Sequence, residues 1–333
     1  MVHGKLGENM EMFFRPFDRM WERVSIAQDH SDTDFFNALM YTGEMLTKFV
    51  TCGMVAAIAN DRDRHRYRQL YLLARADGIG DWVRVLDDTL TGPAAQYLFS
   101  EVYEEQNQLT KNCGIDSWQF KAVSTMDNCL RIVVPENEPL ASKVQARRWF
   151  SLFAQLRNKT RAHGAPPADR LTEICPLLSE SIWLFSRNFS LFNRSWGYLY
   201  KSLSGKYRVT KWTEQAQSLD PLKTQLGQRY NFKNGVYIHF DGSESFSALA
   251  RVDLIESDSE ATDFFVANGG FTDQRFEMLS YISGDKKSEN SSPYLSPVTE
   301  LPPSETEGLH ILVVQQNSFA TLPPLQKEYI HRL

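Results

Sequence analysis

Apolar residues recur at helical spacing through roughly the first two hundred positions, then give way near Gly205 to short alternating runs. This change of period constrains the fold most, because a 3.6-residue stripe and a two-residue alternation bury opposite sets of side chains. In "DTDFFNALMYTGEMLTKFVTCGMVAAIA" Asp32 or Thr33 is a natural N-cap. Phe35, Phe36, Leu39, Leu46, Phe49 and Val50 then mark a long first helix that tolerates Gly43 at some cost. "RHRYRQLYLLARADGIGDWVRVLDDTLTGP" reads as two shorter helices broken at Asp77-Gly78 and closed by Gly92-Pro93. After a loop around Pro135–Pro139, a helix is expected from about Ala141 to Ala162. Another is expected from about Asp169 to Phe192, with Ile174, Leu178, Ile182, Phe185 and Phe189 as its stripe. Pro176 should bend that helix or mark its first turn.

Beyond Gly205 the pattern is that of strands. Asn234-Gly235 in "RYNFKNGVYIHFDG" carries the signature of a two-residue hairpin. "ALARVDLIES", "TDFFVANGGFTD", "RFEMLSYISG" and "HILVVQQ" add short β runs. A polar, Ser/Pro-rich insertion near residues 284–308 is expected to be mobile. The expected class is α+β: an all-α domain over residues 1–204, a small β-rich domain over 205–320, and a linker or tail over 321–333. A chain of 333 residues is long enough for two such cores.

The formal net charge is -5, so any affinity for nucleic acid must come from local patches. Cys52, Cys113, Cys129 and Cys175 form no CxxC pair and stand apart from any histidine cluster, which reads as reduced thiols without a metal site. The start lacks the apolar core of a secretion signal. "FVTCGMVAAIA", the longest apolar-leaning stretch, is too short to span a bilayer. A soluble cytoplasmic protein without membrane partners is therefore expected.

One stretch points to chemistry. "KVQARRWFSLFAQLRNKTRAHG" sets Trp149, Leu152, Phe153, Leu156 and Thr160 on one helical stripe, with Arg157 beside it and His163 seven positions after Leu156. On an unbroken helix Arg157 and His163 would lie about 120° apart. They converge only if the helix ends or bends near Ala162, or if each works with a second copy of the chain. Basic residues at a helix end are also what the macrodipole favours, and His163 would then simply cap the last turn.

Arg157-Asn158, four further residues and His163 resemble the R-[N/D/H]-x-H motif of the HEPN superfamily, where it lies on a long helix within a helical bundle. The resemblance covers roughly residues 30–200 and implies a HEPN-like bundle with a metal-independent endoribonuclease activity. It implies Arg157, Asn158 and His163 as catalytic residues, with Lys159 and Arg161 adding weak RNA contacts. RNA carries its own nucleophile, the 2′-hydroxyl, so no cofactor is expected. A base, an acid and positive charge near the phosphorane suffice. Histidine supplies the proton transfer and arginine the planar fork for phosphate. One pair is too few for all three roles, and family enzymes dimerise so that two motifs share one cleft; a homo-oligomer is implied here. Gly164-Ala165 stand where some family members carry a tyrosine that accepts AMP, so that mode of regulation is not implied.

Other segments carry less. "DRDRHRYR" from Asp61 reads as a solvated helix face, and His239 as a structural residue on a strand. The β-rich half resembles modules that accompany HEPN segments in bacterial anti-phage defence proteins of the abortive-infection or toxin type. "LPPLQKEYIHRL" resembles the Pro-rich entry to a STAND-type NTPase, which would make a sensor domain or a defence-complex subunit a partner. It is equally a terminal linker or strand. A non-catalytic helical dimerisation module, or a nucleic-acid-associated subunit of a defence complex, remains the alternative.

Overall fold

The computed structural model describes residues 14–59, 64–136, 140–161, 166–212, 219–221, 232–240, 249–257, 264–268 and 275–278. The class is α+β. Eight described helices are α1 Arg15–His30, α2 Asp32–Ala56, α3 His65–Ala74, α4 Ile79–Thr91, α5 Tyr103–Thr110, α6 Trp118–Val133, α7 Arg148–Arg161 and α8 Ala168–Asn188. The described strands are β1 Ser195–Lys201, β2 Tyr207–Lys211, β3 Leu219–Pro221, β4 Gly235–His239, β5 Leu249–Arg251, β6 Ile255–Ser257, β7 Phe264–Asn268 and β8 Arg275–Met278.

The chain divides into two compact units, and they do not follow a linear cut at residue 204. One is Met1–Thr47 with Glu104–Asn193 and Thr213–Gln215; the other is Lys48–Tyr103 with Arg194–Trp212 and Ala216–Leu333. α3 and α4 thus belong with the strands. The reason is visible in α3: Arg66 reaches the Arg251 carbonyl and pairs with Asp253 at 3.0 Å. His65 stacks on Tyr97 with ring centroids 5.1 Å apart. Within this stretch His65 and Arg66 thus face protein rather than solvent, while Arg64 and Arg68 stay exposed as a solvated face requires.

The division between the two units falls within α2, after Thr47. Ser31 rather than Asp32 or Thr33 caps this helix: the Ser31 hydroxyl accepts from the Asp34 amide at 3.1 Å and donates to the Asp34 carboxylate at 3.0 Å. From Ala38 to Ala56 every residue is buried, as expected of a helix packed on all sides. Thr42 and Thr47 satisfy their hydroxyls on the carbonyls four residues back. α6 and α8 run antiparallel, Ser181 donating to the Ala122 carbonyl at 2.7 Å and the Cys129 thiol facing the Ile174 carbonyl at 3.9 Å. Trp149 of α7 donates its indole N–H to the same Ser181 hydroxyl at 2.7 Å. One fully buried serine thus joins α6, α7 and α8. Pro176 lies in the third turn of α8, not the first.

α7 begins at Arg148, later than the expected Ala141. Val144 is taken up in an antiparallel bridge with Cys113, whose two N–H···O bonds measure 2.8 and 3.0 Å. A backbone paired across to another segment cannot also make i→i−4 bonds.

In the second unit five strands form an antiparallel sheet in the order β3-β2-β1-β4-β5, and β6-β7-β8 form a second one. Strand structure starts at Ser195, ten residues before the expected change at Gly205. Aromatic residues dominate "SWGYLYK", and its burial alternates only weakly because both faces are covered. Asn234-Gly235 is not the turn of a two-strand hairpin: Gly235 is itself the first residue of β4, and both edges of β4 are filled, by β1 and β5. Asn234 instead accepts from the Lys201 amide at 3.0 Å. On one sheet face Trp196 and Trp212 stack at 6.1 Å, with Phe49 of α2 edge-on to both. The expected strand at "HILVVQQ", the Ser/Pro-rich insertion near 284–308 and the tail over 321–333 lie outside the described residues.

Candidate active site

The site is built where α7 crosses α2. Trp149, Phe150, Leu152, Phe153, Leu156 and Thr160 are buried, which fixes the rotation of α7 about its axis. Arg157 therefore emerges at the margin of the core, four residues after Phe153. Phe153 lies flat beneath Trp149, with ring centroids 5.3 Å apart and planes 4° apart. Its ring edge occupies the space that a side chain at position 43 would need: a Cβ there would stand 2.5 Å from Cζ and 3.0 Å from Cδ2. The glycine whose cost in α2 the sequence makes plain is thus the groove into which Phe153 fits.

Directly after that groove comes Glu44. Its carboxylate accepts from Arg157 Nε at 3.0 Å. The Glu44 side chain is 8% exposed and that of Arg157 29%. A carboxylate so deeply placed needs a cationic partner. The pairing engages Nε, and the two terminal nitrogens of the guanidinium make no hydrogen bond among the described residues. The fork is thereby oriented at its root, and its tip is unengaged among the described residues. Such a group can take up phosphate oxygens in a bidentate manner.

Asn158 and Lys159 are exposed on the next positions of α7. Thr160 turns inward and bonds the Leu156 carbonyl at 2.8 Å. The backbone of Arg161 closes α7, while its side chain, and His163 entirely, lie outside the described residues. Among the candidate catalytic residues the structure thus places Arg157 and Asn158, adjacent on one helix.

Glu44 is the site residue that sequence reasoning missed. The available signal was a lone carboxylate inside "LMYTGEMLTKFV", a largely apolar stretch of a helix. His239 sits half-buried on β4 opposite Ser195 of β1 and Leu249 of β5. The four cysteines are free thiols. Burial raises the pKa of Cys52 and Cys129 well above the usual thiol range, and that of Cys175 to about 12, which makes these three poor nucleophiles. Among the described residues no group of three His, Cys, Asp or Glu is placed to hold a metal ion, and no helix is long and apolar enough to cross a membrane. No family model, curated protein or solved structure matches this chain.

Proposed function

We propose that this chain is a metal-independent endoribonuclease of the HEPN type, acting as the effector of an anti-phage or toxin-like response. The observation that carries the reading is the Arg157 guanidinium: it is held at Nε by a buried carboxylate from a second helix, and its phosphate-matching edge is unengaged among the described residues.

In this reading His163 takes the proton from the RNA 2′-hydroxyl as that oxygen attacks the adjacent phosphorus. Arg157 stabilises the charge that builds on the non-bridging oxygens. The P–O5′ bond breaks and the leaving oxygen receives a proton, here from the His163 of a second copy. Asn158 orients the phosphate or the imidazole. The products are a 2′,3′-cyclic phosphate and a 5′-hydroxyl. Lys159 and Arg161 add positive charge for the RNA backbone beside the cleft, and the two-copy requirement makes a homodimer or higher even-numbered oligomer the active species. A sensor NTPase domain or a defence-complex subunit would license cleavage.

The test is cleavage of RNA by the purified full chain with EDTA present, followed by end-group analysis. Cyclic phosphate and 5′-hydroxyl ends are expected. Dependence on added magnesium, or 5′-phosphate ends, would overturn the mechanism. The Glu44–Arg157 pair also suits a non-catalytic helical scaffold, and an oligomer that cleaves no RNA would establish that alternative.

A further inference from the structure

The five-stranded sheet carries a charge bias opposite to that of the whole chain. Its strands hold Lys201, Arg208, Lys211, His239 and Arg251, and their acidic residue is Asp220 on β3. The bias peaks at one end. The turn joining β1 to β2 runs from Lys201 to Lys206, and Lys233 lies beside Lys201, because Gly235 is opposite Leu199 and Asn234 accepts from the Lys201 amide. All three lysines are exposed, and among the described residues none forms an ion pair.

The turn is well defined. The Ser202 amide and hydroxyl both donate to the Lys206 carbonyl, at 2.8 and 2.9 Å, and the Gly205 amide donates to the Ser202 carbonyl at 2.8 Å. Gly205 takes φ 78°, a conformation that favours glycine. Leu203 is fully exposed at the tip. Beneath the lysines Tyr207, Phe232 and Tyr237 pack edge to face at 5.7 and 6.0 Å, and Lys201 Nζ stands 5.8 Å over the Tyr207 ring. The Tyr207 hydroxyl accepts from the Phe232 amide at 3.0 Å, tying the Lys233 segment to β2. The Lys201 ammonium thus stands over an aromatic cluster, with Lys206 and Lys233 exposed on the segments that this cluster joins.

We propose that this lysine-bearing end of the sheet, Lys201, Lys206 and Lys233, grips the phosphate backbone of single-stranded RNA. The choice of RNA rests on the ribonuclease reading; the charge and its placement do not. The surface lies in the unit that carries no candidate catalytic residue, which gives the β-rich unit a task of its own: retaining substrate. An anionic lipid surface is the weaker fit. The one exposed leucine supplies only about 1.5–3 kcal/mol on burial, and stable membrane attachment needs a second strong signal.

The experiment uses the full chain carrying His163→Ala, so that RNA is not consumed, and a fluorescein-labelled twenty-nucleotide uridine oligomer as probe. Anisotropy titrations at 50–200 mM salt are compared with and without Lys201→Gln, Lys206→Gln and Lys233→Gln together; Lys121→Gln on α6 is the control. Neutralising three phosphate contacts on a single strand gives a salt slope of about 2, at roughly 0.7 per phosphate. The triple variant should lose about that slope and bind at least tenfold more weakly at 50 mM, while the control should not. An unchanged slope, or a loss of binding to phosphatidylserine vesicles without any change on RNA, would overturn the proposal. If the chain with His163 intact cleaves nothing yet the triple variant loses RNA, the nuclease reading fails and the surface stands. If cleavage holds and RNA binding is unmoved, the reverse follows.

Discussion

Gly43→Ala is the change that most sharply tests how the candidate site is held. In an exposed helix the substitution would stabilise by up to about 1 kcal/mol, since alanine is the better helix former. Here the new methyl would meet the Phe153 ring at 2.5 Å from Cζ and 3.0 Å from Cδ2, against a normal carbon–carbon separation of about 3.5–4.0 Å. Phe153 has no exposed surface and stacks on Trp149, whose indole N–H is bonded to the buried Ser181. The ring cannot slide aside, so α2 and α7 must separate by a substantial fraction of an ångström. Overpacking of this kind costs about 1–3 kcal/mol, sometimes more. The net expectation is a loss of about 1–2 kcal/mol, at about 2–4 °C of Tm per kcal/mol. Because Glu44 and Arg157 are the adjoining residues of the same crossing, RNA cleavage should fall as well. Differential scanning fluorimetry on the full chain reads the stability. Phe153→Leu in the Gly43→Ala background clears the space and should recover part of the loss relative to the sum of the single changes. A Gly43→Ala protein as stable as the parent would refute the packing of α7 on α2, and with it the placement of Arg157.

Glu44→Gln and Arg157→Ala should be non-additive in urea denaturation, with a coupling of about 1–3 kcal/mol, because they share one partly buried ion pair; additivity within about 0.5 kcal/mol would contradict the pair. Ser181→Ala removes both the acceptor of Trp149 and the donor to Ala122 at a fully buried point. It should cost about 1–3 kcal/mol, and a loss below about 0.5 kcal/mol would remove the serine from its joining role. In the second unit burial raises the pKa of Glu256 to about 7 against the opposing pull of Arg251, and burial likewise raises that of Asp18 in α1 to about 7. Both groups hold their proton more tightly when folded. Their contribution is therefore complete below the ordinary carboxylate range and is lost as pH rises through about 7. Tm should fall between pH 5 and pH 8, and Glu256→Gln should flatten part of that fall; an unaltered pH profile in the variant would contradict the assignment.

The elements that were legible in the sequence are those whose pattern is long and whose partner is local. The stripe of α7 and the break at Asp77-Gly78 between α3 and α4 follow from spacing and punctuation alone. So do the short runs that became β5 to β8. The misses have a common cause in distant partners. Val144 and Cys113 pair across thirty intervening residues, which shortens α7 at its start in a way no local propensity reveals. β4 is flanked by strands from either side of it in the chain, so Asn234-Gly235 lost its hairpin role to a cross-strand bond. α1, α5 and α6 have no counterpart in the sequence reading: α5 is short and polar, and α6 buries a stripe interrupted by polar residues. In the site, Arg157 was legible from the motif and Glu44 was not, because what singles out Glu44 is its burial beside another helix.

Single-turnover cleavage of RNA by the full chain in EDTA, wild type against His163→Ala, decides whether the chain is a metal-independent ribonuclease that works through His163. Removal of a general acid–base group costs about 10²–10⁴-fold in rate. A loss in that range with Tm unchanged is expected, since His163 is proposed to act on substrate. A His163→Ala protein within about threefold of the wild-type rate, or a folded, oligomeric wild type that cleaves no RNA, would contradict it.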